Sequence, residues 1–278
     1  MTEQKESLVK SSFFIRTCSG IVLVLLALFF ILTGGNILLL GLGTVSLVGL
    51  FELYRVMEIH DKLLGYTGYA ISIAYYIHLH FAAEDRAQLV FLFILALVLL
   101  LAVYVIWFPA YRCEQVMAAF FGIFYVPVML SYIYQCRVVD GGIFLVWLIF
   151  ISSWGCDTCA YLAGITMGKH KMAPVLSPKK SVEGAVGGVA GAIILGFLFG
   201  TVFRMQIPLE NPPFVCAAVC GIGSLISMIG DLAASAIKRD HEVKDYGTLI
   251  PGHGGILDRF DSVIFTAPVI YYTIMYFM

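Results

Sequence analysis

"TCSGIVLVLLALFFILTGGNILLLGLGTVSLVGLF", residues 17–51, contains no charged side chain. A helix needs about 20 mostly apolar residues to cross a bilayer. The run is too long for one crossing and long enough for two. "TGGN" at 33–36 is a turn signal in its middle, so the run divides into two helices. Working outward, further apolar stretches lie near 64–83, 87–109, 115–135, 142–164, 184–203, 213–237 and 255–277. The count is nine. The third, "YTGYAISIAYYIHLHFAA", stands apart in carrying His78 and His80. The expected fold is an all-α integral membrane protein, a bundle of about nine transmembrane helices.

Composition agrees. The 278 residues are 60% hydrophobic and 13% charged, against about 25% charged in soluble domains. The mean hydropathy is +0.94. A net charge of -1 lacks the basic footprint of a nucleic-acid binder, so no nucleic-acid partner is expected. Lys5, Lys10 and Arg16 precede the first apolar run as they would in a secretory signal. No small-x-small cleavage site is evident after it and further spans follow at once, so it is read as a first transmembrane helix.

Nine spans with the N-terminus in the cytoplasm put fourteen Lys and Arg residues in cytoplasmic segments. Three, Arg86, Arg137 and Arg204, fall in outer loops. This positive-inside bias sets the orientation. It implies a multi-pass protein with its polar loops inside, and the expected location is a bacterial cytoplasmic membrane. We divide the chain into N-terminal transmembrane helices (1–141) and a C-terminal transmembrane catalytic region (142–278) with two polar loops, 166–183 and 238–255. Seven cysteines are present, most of them in apolar runs. Cys156 and Cys159 form a CxxC without a second pair, too few ligands for zinc, and read as buried thiols.

Charge inside the apolar runs is the first sign of chemistry. Asp157 lies in "SSWGCDTCAYLAG" and Asp231 in "SLISMIGDLAASAIKRD". An acid at the centre of a span costs about 2.5–3.5 kcal/mol on insertion scales and marks a functional site by default. A packing hydrogen bond or a salt bridge is the alternative. Asp258 and Asp261, in "GGILDRFDS", are three apart and share a helix face. With Asp231 they are a candidate carboxylate cluster for Mg²⁺, which binds through one or two carboxylates plus substrate phosphates. Acids at a helix N-terminus also serve simply to complement its dipole.

The loop "YGTLIPGHGG" holds Gly247, Gly252, Gly254 and Gly255 and feeds a helix N-terminus, a natural phosphate site. Lys238, Arg239, Lys244 and Arg259 stand beside it as phosphate-binding cations. Turns use the same glycines, and basic loops also serve only as topology signals. The other loop, "MGKHKMAPVLSPKKSVEGAVGG", offers Ser177, Lys179, Lys180, Ser181 and Glu183. A capped helix with lysines for lipid headgroups is the plainer reading. The pairs Gly184/Gly188 and Gly187/Gly191 are small-xxx-small spacings that point to helix packing. No GxSxG and no Ser-His-Asp pattern is present. A phosphate oxygen is already a nucleophile, and its reaction needs positioning and charge neutralisation.

Ser235, Lys238, Arg239, Lys244, Asp245, Gly247, Pro251, His253, Gly254, Gly255, Asp258, Arg259 and Asp261 fit S-x-x-K-R-x(4)-K-D-x-G-x(3)-P-x-H-G-G-x-x-D-R-x-D. This string resembles the signature of the phosphatidate cytidylyltransferase (CDP-diacylglycerol synthase) family. "SPKKSVEG" and "DTCAYLAG" resemble that family's other polar segments, and the likeness covers roughly 150–278. It implies a nucleotidyltransferase: phosphatidate in the bilayer attacks the α-phosphorus of CTP, giving CDP-diacylglycerol and diphosphate. It implies catalytic roles for Asp245 and His253 beside the cations and acids already named. It also implies divalent metal, Mg²⁺ as one or two ions with Mn²⁺ as a substitute, at Asp231 and Asp258 with Asp261 in support. A homodimer is compatible with it. Rival readings are a CTP-dependent polyprenol or phytol kinase and, from another class, an ion-coupled transporter. A non-catalytic scaffold would leave the acids without a purpose.

Overall fold

The computed structural model describes residues 19–82, 85–252 and 254–278. Its helices, in chain order, are α1 (Ser19–Thr33), α2 (Gly35–Val56), α3 (Leu63–Phe81), α4 (Arg86–Ile106), α5 (Cys113–Val138), α6 (Gly142–Met167), α7 (Val182–Val202), α8 (Pro212–Asp240) and α9 (Leu257–Phe277). Among the described residues, seven are long and apolar enough to cross a membrane: α2 and α4 to α9. The chain is therefore an all-α integral membrane protein with several membrane-crossing helices. Of the nine expected spans, α3 falls short of that apolarity, and α1 is described over Ser19–Thr33.

The break expected at "TGGN" falls where the turn chemistry puts it. α1 ends at Thr33, and Gly34 and Gly35 take φ of +62° and +50°, a left-handed geometry that glycine adopts without a Cβ penalty. α4 is capped by Asp85, whose carboxylate accepts the Gln88 N–H at 3.0 Å, an ordinary N-cap. α5 and α6 each contain a π-helical turn, Phe124–Val128 and Ile151–Gly155. Pro127 sits within the first and brings no N–H to the ladder. The loop expected at 166–183 contains an antiparallel hairpin, β1 (Lys171–Ala173) and β2 (Ser177–Ser181).

Two compact units emerge. One comprises Met1–Gly122 with Val243–Arg259, the other Ile123–Glu242 with Phe260–Met278. In the first, α2 packs on α3 through small residues: a Cβ at Gly68 would collide with the Tyr54 ring. The Tyr54 hydroxyl donates to Ala119 O at 2.6 Å, and Ser46 and Tyr76 share a buried hydrogen bond of 2.7 Å. These bonds satisfy hydroxyls that lipid could not.

In the second unit, α7 is the packing hub. Gly184, Gly187, Gly188 and Gly191 face α6, with Gly188 against Ala160 and Cys156 and Gly191 against Cys159. Gly196 and Gly200 face the start of α8, at Cys216, Cys220 and Pro212. Apolar burial does not drive helices together in lipid; close approach does, and glycine permits it. The small-residue spacing was thus packing, as expected. The CxxC thiols are part of the same contact, with Cys156 buried.

Candidate active site

The second unit gathers charge where α6, the hairpin, α7 and α8 meet. Ser181 ends β2 and caps α7: its hydroxyl accepts the Gly184 N–H at 3.1 Å. Glu183, two residues on, accepts the N–H groups of Lys169 and His170 at 3.0 and 3.2 Å and contacts His170 Nδ1 at 2.6 Å. Both side chains therefore hold the hairpin onto α7. Ser177, Lys179 and Lys180 ride on β2. The Lys180 ammonium pairs with Asp231 of α8, and both side chains are about a quarter exposed, at 25% each.

A cavity of about 480 Å³ opens here. Asp157, Ser177, Lys179, Lys180 and Asp231 supply its polar lining, and Tyr161, Ile165, Met172 and Met228 its apolar lining. Lys238 is buried in the last turn of α8 and Arg239 beside it is exposed. Asp261 lies within electrostatic reach of Asp231, Lys238 and Asp157, and its Oδ1 accepts the Ser262 N–H at 2.8 Å. Three acids and two lysines named in the sequence are thereby brought into one electrostatic neighbourhood.

The first unit holds the glycine-rich loop. Lys244, Asp245, Gly247, Thr248, Ile250, Gly252, Gly254 and Arg259 line a polar hollow of about 490 Å³. Lys244 and Asp245 are exposed, while Tyr246 is fully buried. The Ile250 N–H donates to Gly254 O at 2.8 Å and closes the turn, with Gly252 and Gly254 at φ of +75° and +88°. Asp258, buried at the start of α9, accepts the N–H of Tyr246 at 2.8 Å and of Gly255 at 3.0 Å, both on Oδ2. His253, expected to be catalytic, lies outside the described residues.

Missing from the sequence reading was Glu52. It is the buried acid that ends the opening apolar run, 4% exposed, and its carboxylate accepts the N–H groups of Ile256 and Leu257 at 3.1 and 2.8 Å. It is also why Gly247 and Gly255 lack side chains. A Cβ at Gly255 would stand 2.5 Å from both Glu52 oxygens, and one at Gly247 would overlap them. The signal was available: an acid one turn before the end of a membrane helix is a site candidate by default.

Among the described residues, no three His, Cys, Asp or Glu side chains converge as a metal cage would require. Mg²⁺ does not need one; it takes one or two carboxylates and completes its shell with water and phosphate. The hard oxygens of Asp231 and Asp261 suit it, and the Lys180 ammonium at Asp231 already occupies a cation position. The two amides on Asp258 fix that carboxylate as outer hydrogen bonds fix a metal ligand. The residues fit the ion.

Membrane-crossing helices with lysines and carboxylates at their ends define a class: an integral membrane protein with a polar, cation-lined site. A family model described as the cytidylyltransferase family matches residues 14–277. The chain belongs to that family. It is similar to a protein of Bacillus subtilis named phosphatidate cytidylyltransferase, 30% identical over 271 residues, covering 94% of this chain and 97% of that protein. Proteins of the same name from Staphylococcus epidermidis and Staphylococcus aureus are each 33% identical, covering 92% of this chain and 96% of theirs.

Proposed function

We propose that this chain is a phosphatidate cytidylyltransferase of a bacterial cytoplasmic membrane, with its active site facing the cytoplasm. The observation that carries the reading is the cavity of the second unit. One wall presents Lys179, Lys180 and Ser177 and another presents Tyr161, Ile165 and Met228, which suits a phosphate monoester attached to a lipid. Near-full-length likeness to proteins named for this activity supports it, as does the lysine and arginine bias toward one face.

In this reading Lys179 and Lys180 hold the lipid phosphate by charge-assisted hydrogen bonds. An oxygen of that phosphate attacks the α-phosphorus of CTP in line. The new P–O bond forms as the bond to the β-phosphate oxygen breaks, and diphosphate leaves with the electron pair. No proton needs to be removed from an ionised phosphate, which explains a site without a nucleophile–base pair. Lys244 from the loop and Arg259 from the start of α9 supply charge to the triphosphate and the departing diphosphate, and Lys238 and Arg239 of α8 bind substrate phosphate. Asp157 and Ser177 orient the groups in the lipid cavity, and Asp245 and Gly254 shape the hollow around Lys244. Mg²⁺, with Mn²⁺ as substitute, would be held by Asp231 with Asp261 and, separately, by Asp258. When bound it supplies neutralisation of phosphate charge.

The test is incubation of purified protein with phosphatidate, Mg²⁺ and CTP labelled at either the α- or the γ-phosphorus. Label in the extracted lipid from α-labelled CTP is expected. Transfer only from γ-labelled CTP would replace this reading with that of a lipid kinase.

A further inference from the structure

Glu52 and Arg55 sit one turn apart near the end of α2, a helix outside the catalytic region expected from the sequence. Glu52 caps the first amides of α9, at Ile256 and Leu257. Arg55 Nη2 donates to Tyr246 O at 2.6 Å. One turn of α2 therefore grips both ends of the segment that runs from Tyr246 to Leu257. Helix starts are ordinarily capped from their own preceding residue, as Ser181 caps α7. Here the cap comes from about 200 residues earlier and buries an acid in an apolar helix. Between the two anchors the Asp258 bonds and the Ile250–Gly254 bridge shape the loop, while Thr248, Leu249 and Gly252 are exposed.

We propose that Glu52 is a positioning residue for nucleotide binding, acting through the loop that carries Lys244 and Asp245 and through Asp258 at its end. The inference rests on the cytidylyltransferase reading. The hollow beside the clamp is walled by Lys244, Asp245, Thr248 and Arg259 and offers no long apolar wall. It suits the water-borne triphosphate rather than the lipid. Gly247 and Gly255 give the Glu52 carboxylate its place, so they act through Glu52.

Glu52→Gln keeps the size of the side chain but turns one acceptor into an NH₂ group facing an amide donor. Gly255→Ala leaves Glu52 intact and pushes its carboxylate aside. In purified, detergent-solubilised full-length protein, each is expected to raise the KM for CTP about tenfold or more, the equivalent of one hydrogen bond to a charged group. The KM for phosphatidate should stay at its wild-type value, and amide exchange across 246–257 should quicken. A normal KM for CTP with normal exchange would overturn the proposal. So would a uniform loss of activity that tracks loss of folded protein in both variants, because Glu52 would then be only a support. Inactivity of the wild-type protein on CTP and phosphatidate would instead sink the cytidylyltransferase reading. Amide exchange reads the clamp separately from that outcome.

Discussion

Asp258 Oδ2 accepts two buried amides, from Tyr246 and Gly255, whereas Asp231 faces the ammonium of Lys180. The same substitution therefore asks different questions at the two positions. At Asp258, Asn retains an oxygen that can accept both amides and loses only the charge. Asp258→Asn should leave the melting temperature nearly unchanged and cut kcat about a hundredfold or more, the scale of one lost electrostatic contact in a preorganised site. Asp258→Ala strands both amides at about 1–3 kcal/mol each and should lower the melting temperature as well. Wild-type turnover by Asp258→Asn at low Mg²⁺ would end its assignment to metal. At Asp231, Asn removes the partner of Lys180 along with the proposed ligand, so excess Mg²⁺ should restore little. Arg239, exposed at the end of α8, is the check on the cations. If its planar fork holds two phosphate oxygens, Arg239→Lys will raise the KM for a substrate; unchanged kinetics would reduce it to a topology signal.

α7 shows how much an element's sequence can disclose. Its glycine spacing announced helix packing, and Gly188 does sit where a Cβ would lie 2.8 Å from Ala160 Cβ and 3.0 Å from Cys156 O. Gly188→Val should destabilise the protein by about 1–3 kcal/mol, the range for overpacking, read as a lower melting temperature in detergent. Cys159→Ser should leave activity intact, since this thiol lies against Gly191 in the helix contact. The break at Gly34 was legible for a similar reason: turn chemistry is local. The hairpin at 171–181 was not, because its strands are three and five residues long with an irregular register and show no alternation to read. Nor were the π-turns of α5 and α6, which leave the apolar pattern intact. Glu52 escaped because its partners, Ile256 and Leu257, are some 200 positions away, and no period in a sequence reports such a pairing. Of the candidate site, the residue types were legible; the roles of Ser181 and Glu183 in holding the hairpin became visible only with their partners.

At the scale of the whole molecule, the clamp bears on how the chain threads the bilayer. Ser19 Oγ donates to Pro251 O at 3.2 Å, and Arg55 reaches Tyr246 O. Ser19 in α1 and the end of α2 thus lie at the level of Pro251 and Tyr246. α2 is long enough to cross, and the predicted threading has α1, described over Ser19–Thr33, cross as its antiparallel return. The chain then leaves α2 and comes back to the same level after α8. An even number of crossings must intervene. Only five of the six helices from α3 to α8 are apolar enough by composition, so parity calls on α3 as the sixth. Its polar groups are compatible with that. Tyr76 bonds Ser46, and the hydroxyls of Ser72 and Thr67 return to the carbonyls of Gly68 and Leu63, leaving less to expose to lipid. The threading we predict therefore has nine crossings, and with the lysine and arginine bias as guide it would put residue 62 on the cytoplasmic side with the 243–256 loop, and residue 137 outside. Seven crossings, with α1 and α3 lying along the surface, would put residue 62 outside. Single-cysteine variants Lys62→Cys and Arg137→Cys, in a background without the native cysteines, decide between the two threadings. A membrane-impermeant maleimide added to intact cells should label position 137 at once and position 62 only after permeabilisation. Labelling of position 62 in intact cells would break the parity argument at α3.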